Sequence, residues 1–101
     1  MKNSSEKVAK MLLEIKGITL NPKKPYRYVS GILSPVYTDC RILMAYPKYR
    51  KIIRNLYIER LTSNGKFDLV AATATAGIPH GAWIADKMNL PMVYVRGSAK
   101  D

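Results

Sequence analysis

Two stretches of this sequence carry residue types suited to gripping an anion. Thr73-Ala74-Thr75-Ala76-Gly77 strings five small residues between an apolar run and the start of a helix. Small side chains leave peptide N–H groups accessible, and a helix start adds roughly half a positive charge, so together they suit a phosphate. The hydroxyls of Thr73 and Thr75 add donors. The plainer reading of the same residues is a tight strand-to-helix turn that merely requires small side chains. The stretch is neither a Walker A loop nor a dinucleotide fingerprint, because the Lys-Ser/Thr ending and the GxGxxG spacing are both absent. Further on, Arg96, Gly97, Ser98, Lys100 and Asp101 follow a second apolar run. Arginine holds phosphate bidentately and lysine acts as a mobile point charge. A solvated surface loop is the competing reading there.

The elements that must position these residues follow from hydrophobic pattern and punctuation. Ser4 or Ser5 can cap a first helix, along which Val8, Leu12 and Ile15 recur at i, i+4 and i+7, and Gly17 is placed to end it. Asn21-Pro22-Lys23-Lys24-Pro25 reads as a loop. Between Tyr26 and Arg41, strand-favouring Tyr26, Tyr28, Val36, Tyr37 and Thr38 alternate with Ser30-Gly31 and Ser34-Pro35, which predicts a pair of short strands around a turn. Pro47 to Leu61 is the clearest helix, with Tyr49, Ile52, Ile53, Leu56 and Leu61 on one stripe, closed by Asn64-Gly65. Asp68 to Ala72 is a continuous apolar run after its first residue, the signature of a buried parallel strand. A helix opened by Pro79 carries Ala82, Trp83, Ile84 and Met88, with Asn89 to stop it, and Met92 to Val95 is a further strand. Strand, loop, helix and strand make a right-handed βαβ unit, so the fold class is α/β with a parallel sheet. In such sheets ligands bind beyond the carboxyl ends of the strands, which is where both anion-gripping stretches fall.

Composition sets the outer bounds. The chain has 101 residues, 17 Lys and Arg against 7 Asp and Glu, a net charge of +10, and 48% hydrophobic residues. That is enough apolar content for one folded domain, and the charge invites anions: nucleic acid, phosphorylated metabolites or an acidic partner. A single cysteine, Cys40, and a single histidine, His80, exclude a disulfide framework and most metal-ligand sets. His80 either donates to phosphate from the helix start or is structural. No apolar run approaches the roughly 18–20 residues of a membrane span, and the polar N-terminus does not read as a signal peptide, so a soluble cytoplasmic protein is expected. There are seven tyrosines, yet no aromatic–basic RNA-recognition motif emerges.

The runs Tyr26-Arg27-Tyr28-Val29-Ser30-Gly31-Ile32-Leu33-Ser34-Pro35-Val36-Tyr37-Thr38-Asp39-Cys40-Arg41, Thr73-Ala74-Thr75-Ala76-Gly77-Ile78-Pro79-His80-Gly81, Ala85-Asp86-Lys87-Met88-Asn89-Leu90-Pro91 and Arg96 through Lys100-Asp101 resemble orotate phosphoribosyltransferases. The resemblance covers nearly everything after the first helix, and its most specific part is Ser-Gly, Ser-Pro and Tyr-Thr-Asp ahead of Arg41. It implies the type I phosphoribosyltransferase fold, preceded by an N-terminal helix and short hood strands. Residues 1–101 would then be one domain, with 1–41 the helix and orotate-side hood and 42–101 the βαβ core. It implies transfer of the phosphoribosyl group of phosphoribosyl pyrophosphate (PRPP) to orotate, giving orotidine 5′-phosphate and pyrophosphate in pyrimidine (UMP) biosynthesis. Magnesium would arrive largely through PRPP, and a homodimer would share active sites through a mobile loop. Carried over, Thr75, Ala76 and Gly77 would hold the pyrophosphate, Arg96 the phosphates of PRPP, and Lys100, on the mobile loop, would act in catalysis. Tyr37 and Thr38 would border orotate, with Ser30-Gly31 nearby. The charge of +10 fits two anionic substrates without needing nucleic acid.

The sequence departs from the family pattern in places. Val29 stands where some members have lysine, Gly97 where a second basic residue is common, and Cys40 where a polar residue is usual. The family's paired acidic residues, which grip the ribose and 5′-phosphate, have no counterpart, and the chain stops at Asp101 inside the mobile loop. The expectation is therefore a truncated domain that does not turn over orotate by itself. The alternative is a non-catalytic, phosphoribosyltransferase-like regulator that binds PRPP or RNA.

Overall fold

The computed structural model of the chain describes residues 2–98. The chain divides into two compact units, one ending at Tyr46 and the other beginning at Pro47.

The first unit opens with helix α1 (Lys2–Glu14), so Ser4 and Ser5 lie within it instead of capping it. Serine is only mildly unfavourable inside a helix, and the burial that holds α1 comes later, from Met11, Leu12 and the adjoining Ile15. Gly17 does not supply the left-handed ending expected of it. Lys16 takes that conformation, with φ of 60°, and the Gly17 N–H reaches back to the Leu12 carbonyl at 2.7 Å, a Schellman-type closure. Glycine at 17 answers to space: a Cβ there would stand 2.9 Å from Leu12 Cδ2 and 3.1 Å from Ile42 Cγ2.

The expected strand pair between Tyr26 and Arg41 is present in shorter form and is joined by a second pairing. Strand β2 (Tyr26–Arg27) pairs antiparallel with β3 (Leu33–Ser34), and the turn between them uses Gly31 at φ of 91°. Strand β1 (Ile18–Leu20) pairs antiparallel with β4 (Val36–Thr38) in the register Ile18 to Thr38, Thr19 to Tyr37 and Leu20 to Val36. A 3-10 helix (Cys40–Ala45) follows, capped by Asp39, whose carboxylate accepts the Arg41 N–H.

In the second unit, helix α2 (Pro47–Thr62) starts at its proline, and Gly65 beyond its end takes φ of 126°. Strand β5 (Val70–Thr73), helix α3 (Gly77–Met88) and strand β6 (Met92–Val95) form the βαβ unit. The strands are parallel, pairing Val70 with Met92, Ala71 with Val93, Ala72 with Tyr94 and Thr73 with Val95. Two boundaries differ from the sequence reading. Thr73 belongs to the strand, and α3 opens at Gly77, two residues before Pro79. Asn89 does end α3, with left-handed φ of 56°.

Helix α3 packs against α2 on one side and against both strands on the other. It buries Gly81, Ile84 and Ala85. The strands are less buried than their apolar sequence predicts: Ala72 is enclosed, but Val93 is 49% and Val95 55% exposed. Side chains alternate between the faces of a sheet. Ala72 and Met92 lie beneath Gly81 of α3, so Ala71, Val93 and Val95 stand on the opposite face.

The contact at Gly81 is the tightest in this unit. A Cβ added there would lie 2.6 Å from Ala72 Cβ and 3.4 Å from Met92 Cε, and a Cβ cannot swing aside as a long side chain can. Gly81→Ala therefore carries an overpacking cost of about 1–3 kcal/mol, which outweighs the ~1 kcal/mol that alanine gains over glycine in a helix. The expected result is a lowered denaturation midpoint for Gly81→Ala. Gly97→Ala, where nothing lies within 4 Å of the new Cβ, leaves the midpoint unchanged. Equal midpoints for the two variants would contradict this packing.

Candidate functional site at the carboxyl ends of the parallel strands

Residues 74–76 connect β5 to α3. The Ala74 N–H donates to the Val95 carbonyl at 2.8 Å, which ties the turn to the end of β6, and the Ile78 N–H donates to the Thr75 carbonyl at 3.2 Å. The peptide between Ala74 and Thr75 is cis. Ala76 caps α3 with helical φ and ψ of −65° and −26° and provides no side-chain acceptor. The N–H groups of Thr75, Ala76 and Gly77 consequently find no acceptor among the described residues. A helix start with no capping oxygen presents donors and a partial positive charge to whatever lies in front of it.

Thr75 of the turn and Ile78 of the first turn of α3 line an open cavity of about 390 Å³, together with Ala74, Tyr94, Arg96, Gly97 and Ser98. The two stretches singled out in the sequence thus meet at one place, with Thr75 from the turn and Arg96 from beyond β6 on the same cavity. Ala76 and Gly77 belong to the turn and the first residue of α3 but are not among the described lining residues. Lys100 lies outside the described residues. Ser98, named in the second stretch, lines the cavity, as do Tyr94 and Ile78, which the anion reading did not single out. The signal for Tyr94 was its position two residues before Arg96, which puts both on the same side of an extended segment.

The candidates on the base side, Tyr37 and Thr38, lie in the first unit on β4. The Tyr37 ring packs against Tyr26 with centroids 5.6 Å apart, and 40% of Tyr37 is exposed. Immediately after them, Arg41 grips Asp39 through two bonds, Nε to Oδ1 at 2.9 Å and a second guanidinium nitrogen to Oδ2 at 3.2 Å. That hydrogen bonding holds the Asp39 carboxyl below its ordinary range. The Tyr28 hydroxyl donates to the Val36 carbonyl, which fastens the β2–β3 hairpin to the start of β4.

Against this geometry, the comparisons with known proteins can be placed. No protein-family profile matches the chain. A protein of Coxiella burnetii named orotate phosphoribosyltransferase is 54% identical over 99 residues, which are 97% of this chain and 47% of that protein. One of Listeria innocua with the same name is 50% identical over 97 residues, covering 95% of this chain and 46% of its own length. Among solved structures, orotate phosphoribosyltransferase from Aeropyrum pernix superposes with a TM-score of 0.79 at 27% identity, over 93% of this chain and 52% of that one. Adenine phosphoribosyltransferase from Trypanosoma brucei matches in fold alone, with a TM-score of 0.60 at 19% identity. The chain has the type I phosphoribosyltransferase fold. It is homologous to orotate phosphoribosyltransferases over nearly all its residues, and it spans about half the length of the curated relatives it matches.

Within this phosphoribosyltransferase fold the cavity suits an anion and not a bare cation. Its lining residues include the hydroxyl-bearing Thr75, Tyr94 and Ser98 and the guanidinium-bearing Arg96, and no carboxylate. Among the described residues no three or more of His, Cys, Asp and Glu come together. No helix of the described residues is long and apolar enough to cross a membrane.

His80, two residues past Ile78 of the cavity lining, packs among aromatic side chains. Its ring lies 5.5 Å from Trp83, edge-on at 90°, and 6.2 Å from Tyr57 of α2. The Arg50 guanidinium lies 5.0 Å from the Trp83 ring centroid. Burial among these side chains lowers the His80 pKa below the ordinary 6.5. A lowered pKa means that the unfolded chain binds a proton more readily than the folded one. The unfolded state therefore gains as pH falls below about 6.5, the free-histidine value, and the loss of stability is complete once pH drops beneath the folded pKa. The denaturation midpoint should fall between pH 7.5 and 5.5, and His80→Phe, which does not titrate, should flatten that slope. An unchanged slope in the variant would show that His80 is not the group responsible.

Proposed function

We propose that this chain supplies the diphosphate-binding loop and the base-side hairpins of an orotate phosphoribosyltransferase. The observation that carries the reading is the meeting of Thr75, in the uncapped turn before α3, with Arg96 at one cavity. The name shared by relatives of about 50% identity supports it. No observation favours the alternative of a non-catalytic regulator.

The chemistry asks for what the cavity offers. Cleaving the bond between ribose C1 and pyrophosphate leaves positive charge on the sugar and two or more negative charges on the departing diphosphate. Fixed peptide donors need no reorganisation as that charge develops, and a guanidinium adds a second centre of attraction. In this reading Thr75, Ala76 and Gly77 hold the diphosphate through their N–H groups and Arg96 pairs with its oxygens. Tyr37 and Thr38 border orotate. Magnesium would enter with the substrate diphosphate. The reading extends to Lys100 as a cation at the leaving group, to a homodimer with shared sites, and to the cytoplasm. A net charge of +10 raises the local concentration of both anionic substrates.

Calorimetric titration with magnesium pyrophosphate tests this directly. The chain should bind with an affinity that falls as salt rises. Arg96→Ala should weaken binding roughly tenfold to a hundredfold, the range for losing a charge-assisted hydrogen bond, without shifting the melting temperature, since Arg96 is exposed. Binding that is absent in the parent chain, or indifferent to Arg96, would overturn the reading.

A further inference from the structure

We infer that the Tyr94 phenol is a third donor to the diphosphate, beside the turn amides and Arg96. This rests on the reading of the cavity as a diphosphate site. Tyr94 pairs in register with Ala72, and Ala72 lies directly beneath Gly81 of α3. Paired residues of neighbouring strands project to the same face of a sheet, so Tyr94 stands on the α3 face. Val93 and Val95 stand on the other. Along that face Met92 lies under the helix at Gly81, whereas Tyr94 is one step further toward the carboxyl end, where α3 has only begun. Its ring therefore lines the cavity with Ile78 and Arg96 and is 54% exposed.

The fold makes no use of the Tyr94 hydroxyl. No hydrogen bond from it to any described residue exists, whereas the Tyr28 hydroxyl is spent on a backbone carbonyl. A phenolic O–H is a hydrogen-bond donor of the kind an anion accepts. Tyr94 and Arg96 are two residues apart, about 6.6 Å along an extended backbone. A phosphate chain lying along this edge can therefore meet both, while the turn amides approach it from the α3 side. A phenylalanine would satisfy the packing equally well, so the hydroxyl is the part of this side chain that calls for a ligand.

The test is a calorimetric titration of the chain and its Tyr94→Phe variant with inorganic pyrophosphate and magnesium, alongside thermal melting of both. The variant keeps the ring and removes only the hydroxyl, so its melting temperature should match the parent's. Its dissociation constant should rise roughly tenfold or more, the consequence of removing a donor to a charged acceptor. A variant that binds as tightly as the parent would overturn the role of Tyr94 while leaving the cavity's assignment intact. A parent chain that binds no pyrophosphate would overturn both, and the two failures are thereby distinguished. Should Tyr94→Phe melt early, loss of pyrophosphate contact is read instead from the Tyr94 ring resonances of the parent chain. Movement of these on titration supports the contact, and their indifference overturns it.

Discussion

Everything in the second unit hangs on how closely α3 sits on β5. The Gly81 backbone approaches Ala72 so nearly that no side chain fits between them. That approach fixes the helix height above the sheet and its position along the strand. With α3 anchored there, a connection of only residues 74–76 must close the distance from the end of β5 to the first helical residue. Only small side chains are compatible with so short a path. The same shortness leaves no room for a capping side chain, and the first amide of α3 has no acceptor among the described residues. The uncapped helix start is thus a consequence of packing two layers at close quarters.

A second consequence concerns the division of labour among helix faces. Gly81, Ile84 and Ala85 of α3 are given to the sheet, while His80 and Trp83 are turned to aromatic and cationic neighbours on α2. His80 follows the 74–76 turn closely in sequence, yet its ring is engaged with Trp83 and Tyr57. The helix start that offers donors to an anion is carried by backbone alone. The first unit works differently. There, short antiparallel pairs are fastened by side-chain hydrogen bonds, Tyr28 to the Val36 carbonyl and Arg41 to Asp39. They hold Tyr37 and Thr38 on a strand of three residues that has little core of its own.

The elements legible in the sequence were those with chemical punctuation. Pro47 at the first position of α2, Gly65 after it and Asn89 after α3 each have one backbone role, and the structure uses them in it. Strand β1 escaped because three residues of Ile-Thr-Leu have no periodicity to read, and Cys40–Ala45 because a 3-10 turn matches neither helical nor strand spacing. Gly17 misled because glycine answers equally to a left-handed angle and to a lack of space, and only tertiary contact with Ile42 distinguishes them. Thr75 and Arg96 were legible because each lies where a parallel strand ends. Tyr94 was read as part of an apolar strand, since whether a strand residue is covered depends on where the helix above it begins.

In the proposed function, bare peptide nitrogens at the start of α3 receive a diphosphate. The most direct measurement is an amide-resolved nuclear magnetic resonance titration of the ¹⁵N-labelled chain with inorganic pyrophosphate. The Thr75, Ala76 and Gly77 amides should shift first and furthest, saturating together with the Arg96 side-chain signal. If pyrophosphate binds while these three amides stay in place and residues elsewhere respond, the diphosphate does not sit at the start of α3.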